Sequence, residues 1–296
     1  MQEITFQTSV GTVTINDCGT SSVNGKQCLL WLNDFDGNSL GQRLDAIECI
    51  DIPGQKVLST TPKPRTIVLK IGFAPVCREQ GAPVCGGEAG KHLLRRELLR
   101  AFPLGEEGTL FYRNNAGSYQ ISARPDEIPK ISYTAGVWAE ATVYLTADYP
   151  YWTYPLTESP EVTATPFSPG IITSTAFGDI ESPIEVIVQC AEGISAPGGG
   201  LRLKLFTNDA DGYLLGVNCY ADIPAGTTIK YDIGTKGELM SYRLVGDTWV
   251  TAPQYWTFMG YERRVCNGIG ATDFKARISS GSAAVKIIYH NIALAV

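Results

Sequence analysis

The stretch TADYPYWTYPLTESPEVTATPFSPG, residues 146–170, joins an aromatic cluster to a run of prolines. The aromatic part holds Tyr149, Tyr151, Trp152 and Tyr154, and prolines follow at positions 155, 160, 166 and 169. Proline fixes φ and lacks a backbone N–H, so this run cannot continue as a helix or a central strand. The stretch therefore predicts a joint between two domains, at 1–155 and 169–296, with a proline-rich linker at 156–168.

Length and charge limit the classes of function. The chain has 296 residues, which suits two domains of about 150 residues each. Its formal charge is −6, with 14 − 16 = −2 in residues 1–155 and 10 − 14 = −4 in residues 156–296. A phosphate-binding surface needs an excess of Lys and Arg, so the composition argues against a nucleic-acid partner.

The sequence also bears on where the protein acts. It contains no apolar run of the roughly 18 residues that a membrane-spanning helix needs. The first residues, MQEITFQTSVG, have neither the basic region nor the apolar region of a secretory signal. We therefore expect a protein without a membrane span that is made in a cytoplasm and either stays there or leaves inside a larger assembly.

Alternating apolar residues predict strands through most of the first half. The pattern indicates a hairpin at 3–16, strands at 67–73 and 137–145, and a hairpin around Asn114–Gly117. One helix is predicted at Lys91–Phe102, because its apolar residues recur at helical spacing. The arginines on its other faces suit either a solvated surface or a surface that meets a partner.

The second half has the pattern of an antiparallel sandwich. Five segments alternate, and they are centred on residues 186, 203, 231, 276 and 287. Gly-, Asp- and Ser-rich turns separate many of them. Short strands with frequent turn signals and no helical stretch are typical of a β-sandwich. The fold class predicted for the whole chain is therefore mainly β.

No pattern of catalytic residues emerges from the sequence. Its two histidines, His92 and His290, lie in no GxSxG or HExxH motif. Glu106 and Glu107 are adjacent and point apart, whereas a glycosidase needs carboxyl groups that face across a cleft. The turn at 208–212 matches only part of a calcium loop. The sequence predicts no catalytic residue, cofactor-binding residue or metal ligand, and hence no enzyme.

The eight cysteines leave one question open. In a reducing compartment most of them should be free thiols. Cys77 and Cys85 have seven residues between them, whereas structural zinc sites usually separate a first pair by two to four. The spacing of Cys77 and Cys85 therefore argues against a zinc site. The remaining alternative to free thiols is a disulfide between these two residues, formed on exposure to an oxidant.

Aromatic residues are the candidate contacts of the second half. Trp249, Tyr255 and Trp256 could stack on cell-surface glycans, or they could fill a core or a subunit interface, where Tyr and Trp are enriched. A carbohydrate-binding or host-receptor-binding sandwich is therefore the alternative to a structural protein.

The order of these segments resembles the distal tail proteins of siphovirus-type phages. Residues 95–103 (RRELLRAFP) resemble the helix that precedes a compact strand pair in that family. Residues 108–112 (GTLFY) and 119–123 (YQISA) resemble the pair itself. Residues 147–152 (ADYPYW) resemble the family's Asp-Pro-Tyr/Phe-Trp ending, although here Tyr149 separates the Asp from the Pro.

The resemblance implies both a fold and a role. It implies a first domain with a β-rich sandwich or split barrel, one helix and a projecting arm within residues 33–90, followed by a galectin-like sandwich. First domains of the family form a hexameric ring at the tail tip. The ring joins the tail tube protein to the tail-tip hub protein and supports receptor-binding proteins. The expected location is therefore the virion tail tip.

Overall fold

The computed structural model describes most of the chain, which divides into two units. The described residues are 2–16, 21–48, 55–79, 82–85, 87–133, 139–194, 201–207, 215–219, 221–233, 239–255, 257–258, 266–267, 270–278 and 281–296. The first unit is Met1–Tyr154 with Ala293–Val296, and the second is Pro155–Ile292. None of the described helices has the length and apolarity that a membrane crossing requires.

The elements run as follows in chain order. The first unit contains β1 (Glu3–Gln7), β2 (Thr12–Asn16), β3 (Ser22–Val23), β4 (Lys26–Asp36), β5 (Gln42–Glu48), β6 (Gln55–Pro62), β7 (Arg65–Glu79), β8 (Ala82–Cys85), α1 (Gly87–Ala101), β9 (Gly108–Arg113), β10 (Ser118–Pro125), β11 (Lys130–Tyr133), β12 (Ala139–Ala147) and β13 (Trp152–Thr153).

The second unit continues the numbering. It contains β14 (Thr157–Glu158), β15 (Val162–Ala164), β16 (Gly170–Ala176), β17 (Ser182–Cys190), β18 (Leu201–Thr207), β19 (Leu215–Cys219), β20 (Thr228–Ile233), β21 (Leu239–Val245), β22 (Thr248–Thr251), β23 (Thr257–Phe258), β24 (Cys266–Asn267), β25 (Gly270–Arg277) and β26 (Ala283–Tyr289). A short 3-10 turn lies at Pro253–Tyr255, and β27 (Ile292–Ala293) follows at the boundary of the units.

The first unit is built on a closed antiparallel barrel. Eight strands pair in the order β12-β7-β4-β3-β2-β1-β9-β10. The ring closes where β10 meets β12, through the pairs Arg124↔Thr146 and Pro125↔Leu145. Side chains alternate in and out along each strand, so every second residue can enter one core. In β7 the alternating buried apolar residues include Ile67, Leu69, Ile71 and Phe73.

The single helix among the described residues packs on the same core. It begins at Gly87, four residues before the predicted start, and ends at Ala101, one residue before the predicted end. Leu94 and Leu98 are buried as the helical spacing predicts, and the Phe102 ring stacks on Phe6 with centroids 5.0 Å apart. These contacts explain why the segment is helical, because its apolar stripe completes the core.

Strands β5 and β6 form a two-stranded hairpin of their own. They pair with each other from Gln42↔Pro62 to Glu48↔Gln55 and with no other described strand. The hairpin lies within residues 33–90, where the family resemblance places a projecting arm. Hereafter the arm means residues 42–62.

The second unit is an antiparallel sandwich. One sheet follows the path β14-β26-β17-β20-β21-β22, and the other follows β16-β25-β18-β19-β23. Both sheets contribute to one core, with Val186 and Ile287 from the first sheet and Phe274 and Ile172 from the second. The mainly β prediction with one helix is therefore confirmed for the described chain.

The joint differs from the predicted linker in two respects. Residues 156–168 contain β14 and β15, which both pair with β26. The prolines flank these short strands instead of lying inside them, so the backbone N–H groups that the ladders need remain available. The second domain was predicted to reach residue 296, but Ala293–Val296 belongs to the first unit.

A close backbone approach in the second unit gives a first prediction. A Cβ atom on Gly178 would lie 2.5 Å from the carbonyl oxygen of Ile292 and 2.6 Å from its nitrogen. We expect Gly178→Ala to lower the free energy of unfolding by about 1–3 kcal/mol, because backbone must move to make room. Urea unfolding followed by circular dichroism measures the change.

The matched control is Gly193→Ala. Its added Cβ would approach backbone atoms only to 3.6 Å, which is ordinary van der Waals contact. We expect a change within about 0.5 kcal/mol there. Equal losses in the two variants would contradict the proposed backbone clash.

Candidate functional site

The aromatic end of the joint is a structural anchor of the first unit. Trp152 is fully buried, and its indole N–H donates to the carbonyl of Gly37 over 3.0 Å. Its ring lies 6.1 Å from the Phe35 ring and 6.4 Å from the Tyr112 ring, measured between centroids. These contacts leave Trp152 unavailable to a ligand and assign it to the core.

Arg65 binds the same carbonyl and also holds the C-terminal residues. The fully buried Arg65 guanidinium donates to Gly37 over 2.6 Å and to the carbonyl of Leu294 over 2.7 Å. Burial lowers the pKa of Arg65, because the charged form is taken out of water. Asn38 pairs with the backbone of Val296 in both directions, at 3.2 and 2.9 Å. The sequence offered no signal for the hydrogen bond between Arg65 and the C-terminal residues, since Arg65 begins an ordinary alternating strand.

A buried carboxylate fixes the helix to the barrel. Glu97 accepts a hydrogen bond from Asn24 Nδ2 at 2.9 Å, with Arg100 and Lys26 at 3.5 and 3.9 Å. Arg95 and Arg96 on the other faces are exposed. The basic face of α1 therefore points to solvent, while Glu97 serves the packing of the helix.

Trp249 lies on a hairpin that sequence reasoning missed. Strands β21 and β22 are joined by Gly246 and Asp247, and Gly246 has a φ of +60°. A Gly-Asp pair between two alternating runs is a recognised signal for a two-residue hairpin, and it could have located this one. The hairpin places the partly exposed Trp249 at the end of the sheet path.

Trp249 belongs to what we call the Lys230 cluster, formed by Glu185, Lys230, Tyr242 and Trp249. The Lys230 ammonium lies 5.0 Å from the Tyr242 ring centroid and 5.3 Å from that of Trp249. Its Nζ atom is 3.3 Å from Glu185 Oε2. Lysine over aromatic faces is a cation–π arrangement. The cluster lies on the face of the sheet away from the core, since Lys230 alternates with the buried Ile229 and Tyr231.

Tyr255, the second predicted contact residue, does not join this cluster. Tyr255 is buried at 5% exposure in the core of the second unit, and its carbonyl accepts a hydrogen bond from the Tyr231 hydroxyl over 3.1 Å. Trp256 lies outside the described residues. Of the two that are described, Trp249 is partly exposed and Tyr255 is not.

The polar residues weighed as catalytic candidates are dispersed. Glu106 accepts a hydrogen bond from Ser9, whereas Glu107 accepts one from Ser122 on β10. The two carboxylates thus serve different partners, as expected for adjacent turn residues. His92 is exposed on α1, and His290 follows β26 in the other unit. The turn at 208–212 lies outside the described residues.

Two cysteines of the second unit are buried free thiols. Cys190 and Cys219 belong to its core. Burial raises the pKa of Cys190 to about 11, and the neighbouring Cys219 adds to the shift. Burial also raises the pKa of Cys219. Because the thiolate is the reactive form, both should react slowly with thiol reagents at neutral pH.

The Cys190 shift predicts a pH dependence. The unfolded thiol ionises near 9.0, whereas the folded one keeps its proton up to about 11. Between these values the folded state binds more protons, so stability should fall as the pH rises through this window. We expect the urea midpoint to decline more steeply in the parent protein than in Cys190→Ala. Parallel declines would contradict the assignment.

Comparison with solved structures finds phage tail proteins. The chain is similar to the Dit (gp 19.1) protein of phage SPP1, described as a paradigm of hub adsorption apparatus in Gram-positive infecting phages. The TM-score is 0.55 at 9% identity, over 89% of this chain and 93% of that one. It is also similar to a chain of the phage p2 baseplate in its activated conformation with Sr, with a TM-score of 0.51 at 9% identity, over 97% and 98%.

The chain has the fold of a phage distal tail protein. Because both alignments span nearly the whole chain, the likeness covers the two units and not one sandwich alone. No protein-family model and no curated protein matches the sequence. At 9% identity, side-chain patterns diverge while the arrangement of elements persists.

The segments that carried the sequence resemblance have defined places in this distal tail fold. Residues 95–103 form the last turns of α1 and its end, and 108–112 and 119–123 lie in the paired strands β9 and β10. Residues 147–152 run from the end of β12 to the buried Trp152 of β13. The predicted resemblance is thus confirmed at the level of fold.

Proposed function

We propose that this protein is a structural component of the tail tip of a siphovirus-type phage or prophage. It forms a hexameric ring that joins the tail tube to the baseplate hub and supports receptor-binding proteins, and it carries out no catalysis. The observation that carries the proposal is the fold shared with SPP1 Dit over 89% of the chain.

The arm is an observation that favours self-assembly of the protein. Its strands β5 and β6 pair only with each other among the described residues. An isolated two-stranded hairpin is at best marginally stable in water. A neighbouring copy that packs against the arm would supply the missing contacts, as a ring requires.

Light scattering after size exclusion tests the proposal. A hexamer should have a mass of six times 32.0 kDa, or about 192 kDa. The mass should hold across a dilution series if the ring is stable. A mass that remains at that of one chain at every concentration would contradict the ring.

A second candidate function is glycan binding at the Lys230 cluster. Its favouring observation is that Tyr242 and Trp249 lie together on the outer face of the sandwich, beside an ammonium and a carboxylate. Aromatic faces and charged hydrogen-bonding groups suit a sugar ring. The amine already covers both rings, however, so a sugar would have to compete with it.

A glycan array probed with the full-length protein distinguishes the two. If the cluster binds sugar, signals should appear and should disappear in Trp249→Ala. The matched control is Val250→Ala, which removes the neighbouring exposed side chain of the same strand. An array without signals would eliminate glycan binding at this cluster and leave the structural function untouched.

A further inference from the structure

Three cysteines occupy neighbouring register positions on three adjacent strands. Cys28 of β4 is the Cα partner of Cys77 in β7, and Cys77 is in turn the Cα partner of Cys85 in β8. Directly opposed residues of antiparallel strands have Cα atoms roughly 4.5–5.5 Å apart. Disulfides require Cα separations of about 4.4–6.8 Å. The backbone therefore brings Cys77 within disulfide range of a cysteine on either side.

The two neighbours of Cys77 differ in their freedom to react. Cys28 is buried at 4% exposure on a central strand, and its thiol donates to the carbonyl of Lys26 at 3.3 Å. Strand β8 is only four residues long, and among the described strands it pairs with β7 alone. A short edge strand can adjust to the dihedral angle that an S–S bond demands, whereas a central strand is held on both sides. Cys85 is therefore the favoured partner.

We propose that Cys77 and Cys85 form a redox-sensitive pair, which closes the β7–β8 hairpin with a disulfide when the protein meets an oxidised thiol such as oxidised glutathione. One cysteine thiolate attacks a sulfur of oxidised glutathione, forms a mixed disulfide and releases one glutathione thiolate. The other cysteine thiolate then attacks the protein sulfur of that mixed disulfide and releases the second glutathione. The protein loses two electrons, oxidised glutathione gains two, and the two thiol protons pass to water or to the released thiolates.

The crosslink has a structural consequence. Strand β8 ends at Cys85, and α1 begins at Gly87. A covalent bond from Cys85 to β7 therefore fixes the backbone directly before the helix. In a reducing cytoplasm the pair stays open, and in an oxidising environment it closes.

Peptide mapping tests the pair directly. The reduced full-length protein is equilibrated with oxidised glutathione, blocked with iodoacetamide and digested with trypsin. Cleavage after Lys70, Arg78 and Lys91 places Cys77 in peptide 71–78 and Cys85 in peptide 79–91. We expect these two peptides to be the main linked species by mass spectrometry. A link from 71–78 to the Cys28 peptide 27–43, or only glutathione adducts, would overturn the proposal.

Three controls complete the experiment. Non-reducing electrophoresis should show the chain at its monomer position, because a dimer band would mean that the link joins two copies. The Cys85→Ser variant should accumulate the mixed disulfide of Cys77, because its resolving thiol is gone. In concentrated urea the fraction of protein with the 77–85 link, at a fixed ratio of oxidised to reduced glutathione, should fall, and an unchanged fraction would show that the fold does not direct the reaction.

Discussion

Replacing Trp152 with alanine should lower the free energy of unfolding of the first unit by about 3–5 kcal/mol. Trp152 is the largest fully buried side chain in the described residues. Its loss removes apolar burial and leaves a cavity beside the stacked Phe35 and Tyr112 rings, which surrounding atoms can fill only in part. A loss of this size is a large fraction of the stability of an ordinary domain.

A graded pair of variants separates packing from hydrogen bonding. Trp152→Phe keeps much of the volume but removes the donor to the Gly37 carbonyl, which Arg65 still satisfies. We therefore expect Trp152→Phe to fall between the parent protein and Trp152→Ala. Urea unfolding followed by far-ultraviolet circular dichroism gives the order.

Trp249→Ala is the matched control for Trp152→Ala. It removes the same side chain from a partly exposed position, so we expect a loss of about 1 kcal/mol or less, mostly from the cation–π contact with Lys230. If the two alanine variants lose equal stability, Trp152 is not the anchor of the first unit.

Removing the arm should abolish self-association and leave the fold intact. Gln42 and Pro62 are Cα partners at its base, so residues 43–61 can be replaced by a short Gly-Ser turn. We expect the mass by light scattering to fall about sixfold, from a hexamer to a single chain. The reason is that, among the described residues, the two strands of the arm pair only with each other.

The arm-deleted variant must be shown to fold. Its urea midpoint and its circular dichroism should stay close to those of the parent protein, because the barrel pairs β4 directly with β7 across the base of the arm. An arm-deleted chain that still assembles would show that another surface makes the ring. A chain that no longer folds would contradict the view that the arm is separate from the core.

Local patterns in the sequence predicted most elements of this fold. Alternation placed the strands, and the spacing of Leu94 and Leu98 placed the helix, because both signals depend only on near neighbours in the chain. The segments around Asn114–Gly117 also paired as the turn chemistry indicated, with Asn114 N donating to the Gly117 carbonyl over 2.9 Å.

Long-range pairing could not be predicted from the same patterns. The barrel closes through two residue pairs between β10 and β12, and nothing in either strand specifies that partner. The prolines at 155, 160 and 166 indicated a spacer, yet they border strands that find a partner more than 100 residues later. The hydrogen bond from Arg65 to Leu294 spans 229 positions and has no sequence signature.

The candidate contact residues show the same limit. Trp249 of β22 was identified by its residue type. The lysine that covers its ring comes from β20, and β21 lies between these two strands both in the chain and in the sheet. Tyr255 was named for the same reason and lies in the core. Residue type identifies an aromatic, whereas the pairing of distant strands decides whether its face is free.

Electron microscopy of the purified full-length protein tests the central claim most directly. Class averages of the main size-exclusion peak should show six-fold rings with a central opening, formed by the first units. The arm-deleted variant should show only small single particles under the same conditions. Single particles in the parent protein, or closed assemblies of another symmetry, would contradict a hexameric tail-tip ring.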